Sequence, residues 1–195
     1  MSNSTSPGPV PPATGAAVPY PAVEPRDFRR VLGRVPTSVA VVSARGATGP
    51  VGMTVGSLTS VSLDPPLIAF FVKRGSQTMQ SIQEAGTFCV NVLGQDQGEV
   101  CQIFASSRRS EVGEDAWDSC CTGAPRLREA LAWLECTVDT VFEAGDHAGV
   151  MGRVHHLVDA PASQNPLVFY RGSLCRLHPA SARQVETHPL QWWDL

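Results

Sequence analysis

From residue 38 onward, apolar residues mostly recur at every second position, and only in a few stretches does their spacing widen to three or four. The alternation predicts strands at 38–43, 51–54 and 59–62, then a continuous apolar strand at 67–72 and a buried one at 88–93. The strongest signal follows: Leu134, Cys136, Val138, Thr140 and Phe142 alternate with Glu135, Thr137, Asp139 and Val141. Val150, Gly152, Val154, His156 and Val158 then alternate with Met151, Arg153, His155 and Leu157, which makes 131–158 a long hairpin turning near Gly145-Asp146-His147. Strands at 167–170 and 173–177 are joined by Arg171-Gly172.

Helical spacing is confined to three places. Asp27 is expected to cap a short helix carrying Phe28, Val31 and Leu32 on one face, stopped by Gly33 and Pro36 and lying over one end of the barrel. Ser76 caps a second helix over 76–85, with Met79 and Ile82 inward and Gly86 as its stop. Asp96-x-x-Glu99 resembles a capping box opening a third, with Val100, Ile103 and Phe104 toward the core. The stretch 106–125 lacks a period and reads as loop. Many short strands with two or three helices predict a mostly β, closed or half-closed antiparallel barrel rather than a doubly wound sheet.

Composition narrows this. A chain of 195 residues suits one domain of roughly 100–200 residues, and the net charge of −3 comes without any run of like charge, which disfavours a nucleic-acid partner. Residues 1–25 carry seven prolines among small residues and read as an arm, disordered or extended against a neighbouring subunit; 26–178 form the domain and 179–195 a tail with Trp192-Trp193. No apolar run approaches the ~20 residues of a bilayer span and no signal peptide opens the chain, so a cytoplasmic protein is expected. The six cysteines, at 89, 101, 120, 121, 136 and 175, lack metal-ligand spacing and read as mostly reduced core thiols. The histidines do not cluster either: His155 and His156 are adjacent and should point to opposite faces of a strand, so no metal is expected.

Neither a Gly-x-Gly-x-x-Gly turn nor a P-loop is present. Lys73-Arg74-Gly75-Ser76-Gln77-Thr78 could instead hold a phosphate through two cations and hydroxyls at a helix start, or be an ordinary capped helix with solvated basic residues. The hydroxyls between Met53 and Ser60 could serve turn amides or the polar edge of a flat heterocycle. Asn91, inside an apolar strand, must have partners, from the backbone or from a ligand.

The motifs Phe28-Arg29, Thr37-Ser38-Val39-Ala40-Val41-Val42, Gly52 to Pro66, Val90-Asn91-Val92-Leu93 and Ala144-Gly145-Asp146-His147 together resemble the flavin reductase components of two-component flavin-dependent monooxygenases. The resemblance covers about Phe28 to Leu177. It implies a homodimer of FMN-binding split barrels of antiparallel, Greek-key-like topology, reducing FMN or FAD with NADH or NADPH and passing reduced flavin to a monooxygenase or halogenase. By position, Met53, Thr54, Val55, Ser57 and Asn91 would hold the ring and ribityl chain, with Ser60, Phe104 and Ala105 nearby. Lys73, Ser76 and Thr78 would take the phosphate, and His147 with Arg29 would meet the nicotinamide nucleotide. No side chain is expected to act as catalytic acid or base, because the flavin carries the chemistry. Gly56, where Asn or Ser is common, and Ser38, where glycine is usual, depart from the pattern. They leave open a barrel whose tightly bound flavin acts directly on an organic substrate, or a non-catalytic flavin-binding protein.

Overall fold

The computed structural model describes residues 21–106, 112–160 and 165–177. Seven antiparallel strands form one curved sheet: β2 (Ala40–Gly46), β3 (Gly49–Val55), β4 (Thr59–Leu63), β5 (Pro66–Lys73), β6 (Thr87–Val92), β9 (Ala132–Ala144) and β10 (His147–Asp159). Their order is β3-β2-β6-β9-β10-β5-β4. The two edges, β3 and β4, follow one another in the chain yet share no ladder, so the barrel is split along that seam. Strand β1 (Thr37–Ser38) pairs with β11 (Leu167–Tyr170), which pairs with β12 (Ser173–Arg176).

Inward residues from six of these strands make one apolar cluster, including Val42, Val55, Phe70, Val72, Phe88, Val90, Cys136 and Val150. Phe70 and Phe88 are fully buried and meet edge to face, centroids 5.5 Å apart; burying each ring is worth about 1.5–3 kcal/mol. Helix α2 (Gln77–Ala85) adds Met79 and Ile82 to this core. It ends as expected, at Gly86 with φ 67°, whose amide donates to Ile82 O at 2.9 Å. A second cluster, with Val39, Val41, Phe104 and Leu127, lies on the other face of β2 beneath α3 (Gly98–Ala105).

Several local expectations are corrected. Helix α1 (Pro25–Leu32) begins with Pro25 in its first turn and Glu24 before it, so Asp27 is not the cap and instead pairs with Arg30 at 2.8 Å. The helix buries no residue, and Phe28, Val31 and Leu32 are about half exposed, so it does not cover the barrel end. Asp96 does not cap α3; it pairs with Arg176 at 2.8 Å, while Gln97 stands at the cap position. The stretch 106–125 is not all loop: β7 (Trp117–Ser119) pairs with β8 (Pro125–Leu127), a flap whose β8 packs against β6 and β2.

The long hairpin is present, with a two-residue turn that places Gly145 at φ 65°. It carries two register shifts, at Met151/Gly152 and Val154/His156. The second makes His155 an extra residue, and it contacts Thr137 at 2.8 Å while His156 opposes Glu135. Thr137 and Glu135 are two apart on one face of β9, so the bulge turns both imidazoles to the same side, against the expectation of opposite faces. Residues 1–20 and 178–195, including most of the proline-rich arm, His178, His188 and Trp192-Trp193, lie outside the described residues. Among the described residues no helix is long and apolar enough to cross a membrane.

Candidate functional site

The split in the barrel opens into a cavity of about 860 Å³, lined by the end of β3 and its following turn, the β5–α2 connection, the C-terminal end of α3 and the first residue of β10. This volume lies within the range of about 300–1,000 Å³ usual for cofactor sites. Nine of the thirteen residues singled out above meet here: Met53, Thr54, Val55, Ser57, Lys73, Ser76, Phe104, Ala105 and His147.

Local folding accounts for each placement. Thr54 Oγ1 donates to Cys101 O at 2.8 Å, fastening α3 against β3 and so bringing Phe104 and Ala105 to the rim. Ser57 Oγ accepts from Phe71 N at 2.9 Å and donates to Phe71 O at 3.2 Å, satisfying the backbone of β5 just beyond the end of the β4 ladder. Gly75, at φ 79°, turns the chain from β5 into α2. Ser76 then caps α2, its oxygen accepting from Met79 N at 3.4 Å, while its hydroxyl hydrogen goes to the weak acceptor Met53 Sδ at 3.8 Å. His147 reaches the cavity because the β10–β5 register sets it opposite Lys73.

The polar groups concentrate at one end. Lys73, Arg74, Ser76 and Gln77 line it, with both cations exposed and Arg74 only 3.8 Å from Glu143. Such a set, next to a helix start, suits a phosphate. Met53, Val55, Phe71, Val72 and Phe104 give the same cavity apolar walls. His147 Nδ1 lies 2.7 Å from Asp146 Oδ1, and that hydrogen bond together with the imidazole charge holds the Asp146 carboxyl below the usual aspartate value.

Four expected residues lie elsewhere. Asn91 is fully buried with its amide spent internally: Nδ2 donates to Val41 O at 2.8 Å and Ser43 Oγ at 2.9 Å, and Oδ1 accepts from Leu127 N at 2.7 Å. It ties the flap to the barrel and does not face the cavity. Thr78, the second residue of α2, is fully buried and donates to Gly52 O at 3.2 Å. Ser60 is exposed on β4 opposite Ile68, away from the cavity. Arg29 lines a different recess with Arg26, Arg30, Arg34 and Arg171.

The sequence reading missed Phe71 and Val72, hidden in an apolar run whose inward and outward positions only the register decides. Gly56 also lines the cavity, and extends into a neighbouring hollow of about 670 Å³ that shares Thr54, Val55 and Ala105 and continues to Phe169 and Leu174. A Cβ at Gly56 would lie 3.2 Å from Thr37 Oγ1, so a larger residue here would press on Thr37.

Comparison with known proteins gives concordant matches. Residues 32–178 match the flavin reductase like domain. A flavin reductase of Pseudomonas putida is 43% identical over 152 residues, covering 77% of this chain and 89% of the relative. The reductase subunit HsaB of a flavin-dependent monooxygenase from Mycobacterium tuberculosis is 36% identical over 173 residues, 88% of this chain and 90% of that one. Among solved structures, the NADH:FAD oxidoreductase SgcE6 of Streptomyces globisporus, in complex with NAD and FAD fragments, superposes with a TM-score of 0.72 at 35% identity over 82% of this chain and 98% of that one.

Proposed function

Because the chain belongs to the flavin reductase like family and is a flavin oxidoreductase using flavin and NADH, we propose that its cavity holds the flavin as an exchanging substrate, reduced there and released to a monooxygenase or halogenase. The observation that carries the site assignment is that one open cavity brings together the cations and hydroxyl of 73–76 and the apolar walls of Met53, Val55, Phe71, Val72 and Phe104, the donors and surfaces that the phosphate and ring of a flavin nucleotide need. Lys73, Arg74 and Ser76 hold the phosphate; Phe71, Val72 and Phe104 flank the ring; main-chain groups of residues 53–57 meet its polar edge, since Thr54 and Ser57 give their hydroxyl hydrogens to Cys101 O and Phe71 O. When bound, flavin supplies the acceptor atom, N5, for hydride from nicotinamide C4.

The chain's own residues then have a positioning task. His147, fixed by Asp146, stands at the cavity rim across the ladder from Lys73 and orients the nicotinamide nucleotide. Holding two rings in register replaces a bimolecular encounter by a positioned one, and no side-chain proton transfer is required for that step. Exposure of Phe71, Lys73, Arg74, Gly75 and Gln77 leaves the flavin a path out.

The working unit is a homodimer. Phe28, Val31, Leu32 and Val35 stand 49–56% exposed on and just after α1, an apolar surface that a second copy would cover. Light scattering of the purified chain tests this, and a monomer at micromolar concentration refutes it.

Anaerobic stopped-flow tests the catalytic reading. Mixing protein and a molar excess of FMN or FAD with NADH or NADPH should bleach the visible flavin band over many turnovers, naming both preferred nucleotides. Reduction limited to one equivalent, with flavin retained through gel filtration, would replace the exchanging-substrate reading by a prosthetic one.

A further inference from the structure

On the outer face of β9, away from the flavin cavity, Glu135 is only 1% exposed. A buried carboxylate is costly unless both oxygens are engaged. Oε2 accepts from Cys121 N at 2.8 Å, but Oε1 has no hydrogen-bond partner. Its nearest charged neighbours are His156 Nδ1 at 3.5 Å and Arg126 Nη1 at 3.9 Å, both beyond good hydrogen-bonding range. Arg126 is engaged otherwise, its guanidinium stacked 5.4 Å from the Trp133 ring centre.

The Cys121 thiol closes the group. Ligating atoms of Cys121, Glu135 and His156 all lie within 4.8 Å of one another. Three separate features of the fold bring them together. The turn after β7, closed by Gly123 N donating to Cys120 O at 3.0 Å, buries Cys120 and leaves Cys121 outward. The bulge at His155 aims His156 at Glu135 rather than along the regular alternation. The Cys121 amide fixes the carboxylate rotamer so that Oε1 is the oxygen left facing the imidazole.

We propose that Cys121, Glu135 and His156 form a binding site for a divalent transition metal of the zinc class. Sulfur, nitrogen and oxygen donors in one set select such an ion over calcium or magnesium, which take oxygen ligands. In a tetrahedral site with metal–ligand lengths near 2.0–2.1 Å, nitrogen and oxygen donors stand about 3.3 Å apart, close to the 3.5 Å between His156 Nδ1 and Glu135 Oε1. Exposure of Cys121 and His156 gives the ion an entry path and leaves a fourth position to water. Binding displaces the Cys121 thiol proton and joins the flap turn to β9 and β10, with the Cys121 amide as the group that orients the carboxylate. The site shares no residue with the flavin cavity, so it stands or falls independently of the reductase reading.

The test uses the full chain stripped of metal by a chelator. Titration with Co²⁺ should saturate at one equivalent with a thiolate-to-metal charge-transfer band in the near ultraviolet, displaced by Zn²⁺, and Zn²⁺ should raise the melting temperature. Cys121→Ser and His156→Ala, both at exposed positions, should each weaken Zn²⁺ binding more than about 100-fold, since removing even an outer partner costs 10–100-fold. His155→Ala, on the same face but bonded to Thr137, should bind like the parent. Absence of the charge-transfer band, or parental affinity in both Cys121→Ser and His156→Ala, overturns the proposal.

Discussion

The division of labour between Ser76 and Thr78 gives a sharp test of the phosphate assignment, because both are hydroxyls at one helix start and the structure treats them oppositely. A hydroxyl has one donor and two acceptor sites. Ser76 spends one acceptor on Met79 N and its donor only on a thioether 3.8 Å away, so the donor can turn to an anion at little cost. Thr78 is fully buried and commits its donor to Gly52 O. In Ser76→Ala, a hydrogen bond to a charged group is lost, about 1.5–3 kcal/mol, which is roughly a 10- to 150-fold weaker FMN dissociation constant. Riboflavin, lacking the phosphate, should change little. The lost cap costs about 1 kcal/mol of stability, a fall of about 2–4 °C in melting temperature. Thr78→Val should lower stability by about 1–3 kcal/mol and shift FMN and riboflavin alike. Fluorescence titrations with both flavins, alongside thermal melts, read all four numbers. Equal loss of FMN and riboflavin in Ser76→Ala, or selective loss of FMN in Thr78→Val, would refute the assignment.

Replacing His147 by Ala should raise the NADH Michaelis constant with flavin affinity nearly unchanged; an unaltered NADH titration removes the histidine from nucleotide binding. The same change should raise the Asp146 carboxyl toward its ordinary value, readable by NMR titration. Its pKa is depressed in the folded chain, so the contribution of the pair is present above the ordinary aspartate range and lost as pH falls through the lowered value. Burial pushes the Cys136 thiol up to about 12 and raises that of Cys101, and the hydrogen bond with Cys120, then burial, raises that of Cys89. Native alkylation near pH 8, followed by mass spectrometry, should therefore label Cys121 first and spare these three; early labelling of Cys89 or Cys136 contradicts the buried placement. Gly152→Ala would drive a methyl into the ring of fully buried Phe88 and should cost about 1–3 kcal/mol in urea unfolding. Gly149→Ala meets Phe142, which is 41% exposed and free to swing aside, and should cost less; a reversed order refutes the packing argument.

The barrel was legible because each strand of its main sheet runs five residues or more, long enough to show either alternation or a continuous apolar run, and because helix α2 is marked at both ends by Ser76 and Gly86. The flap was not, since strands of three residues leave no period to detect. Likewise, the cationic stretch that lines the cavity was legible as one contiguous run of cations and hydroxyls. Residues contributed singly from a strand were not, because their side depends on register: Phe71 faces the cavity, while its neighbour Phe70 is fully buried.

Residue type misleads most where a polar group has two uses. Asn91 was a reasonable ligand for flavin until Val41, Ser43 and Leu127, 36 to 50 residues away in sequence, proved to supply its partners. Thr78 fails for the same reason. What separates the binding residues from the structural ones is therefore the strength of the internal competitor. An amide or hydroxyl with a carbonyl at 2.8–3.2 Å is committed to the fold, and a ligand would have to break that bond before gaining its own. Ser76, whose hydroxyl hydrogen goes only to a sulfur, is still available as a donor, and so, as an acceptor, is Glu135 Oε1, which has no hydrogen-bond partner. One criterion thus picks out both the proposed phosphate-binding hydroxyl and the proposed metal ligand, and it could not be applied before the long-range partners were known.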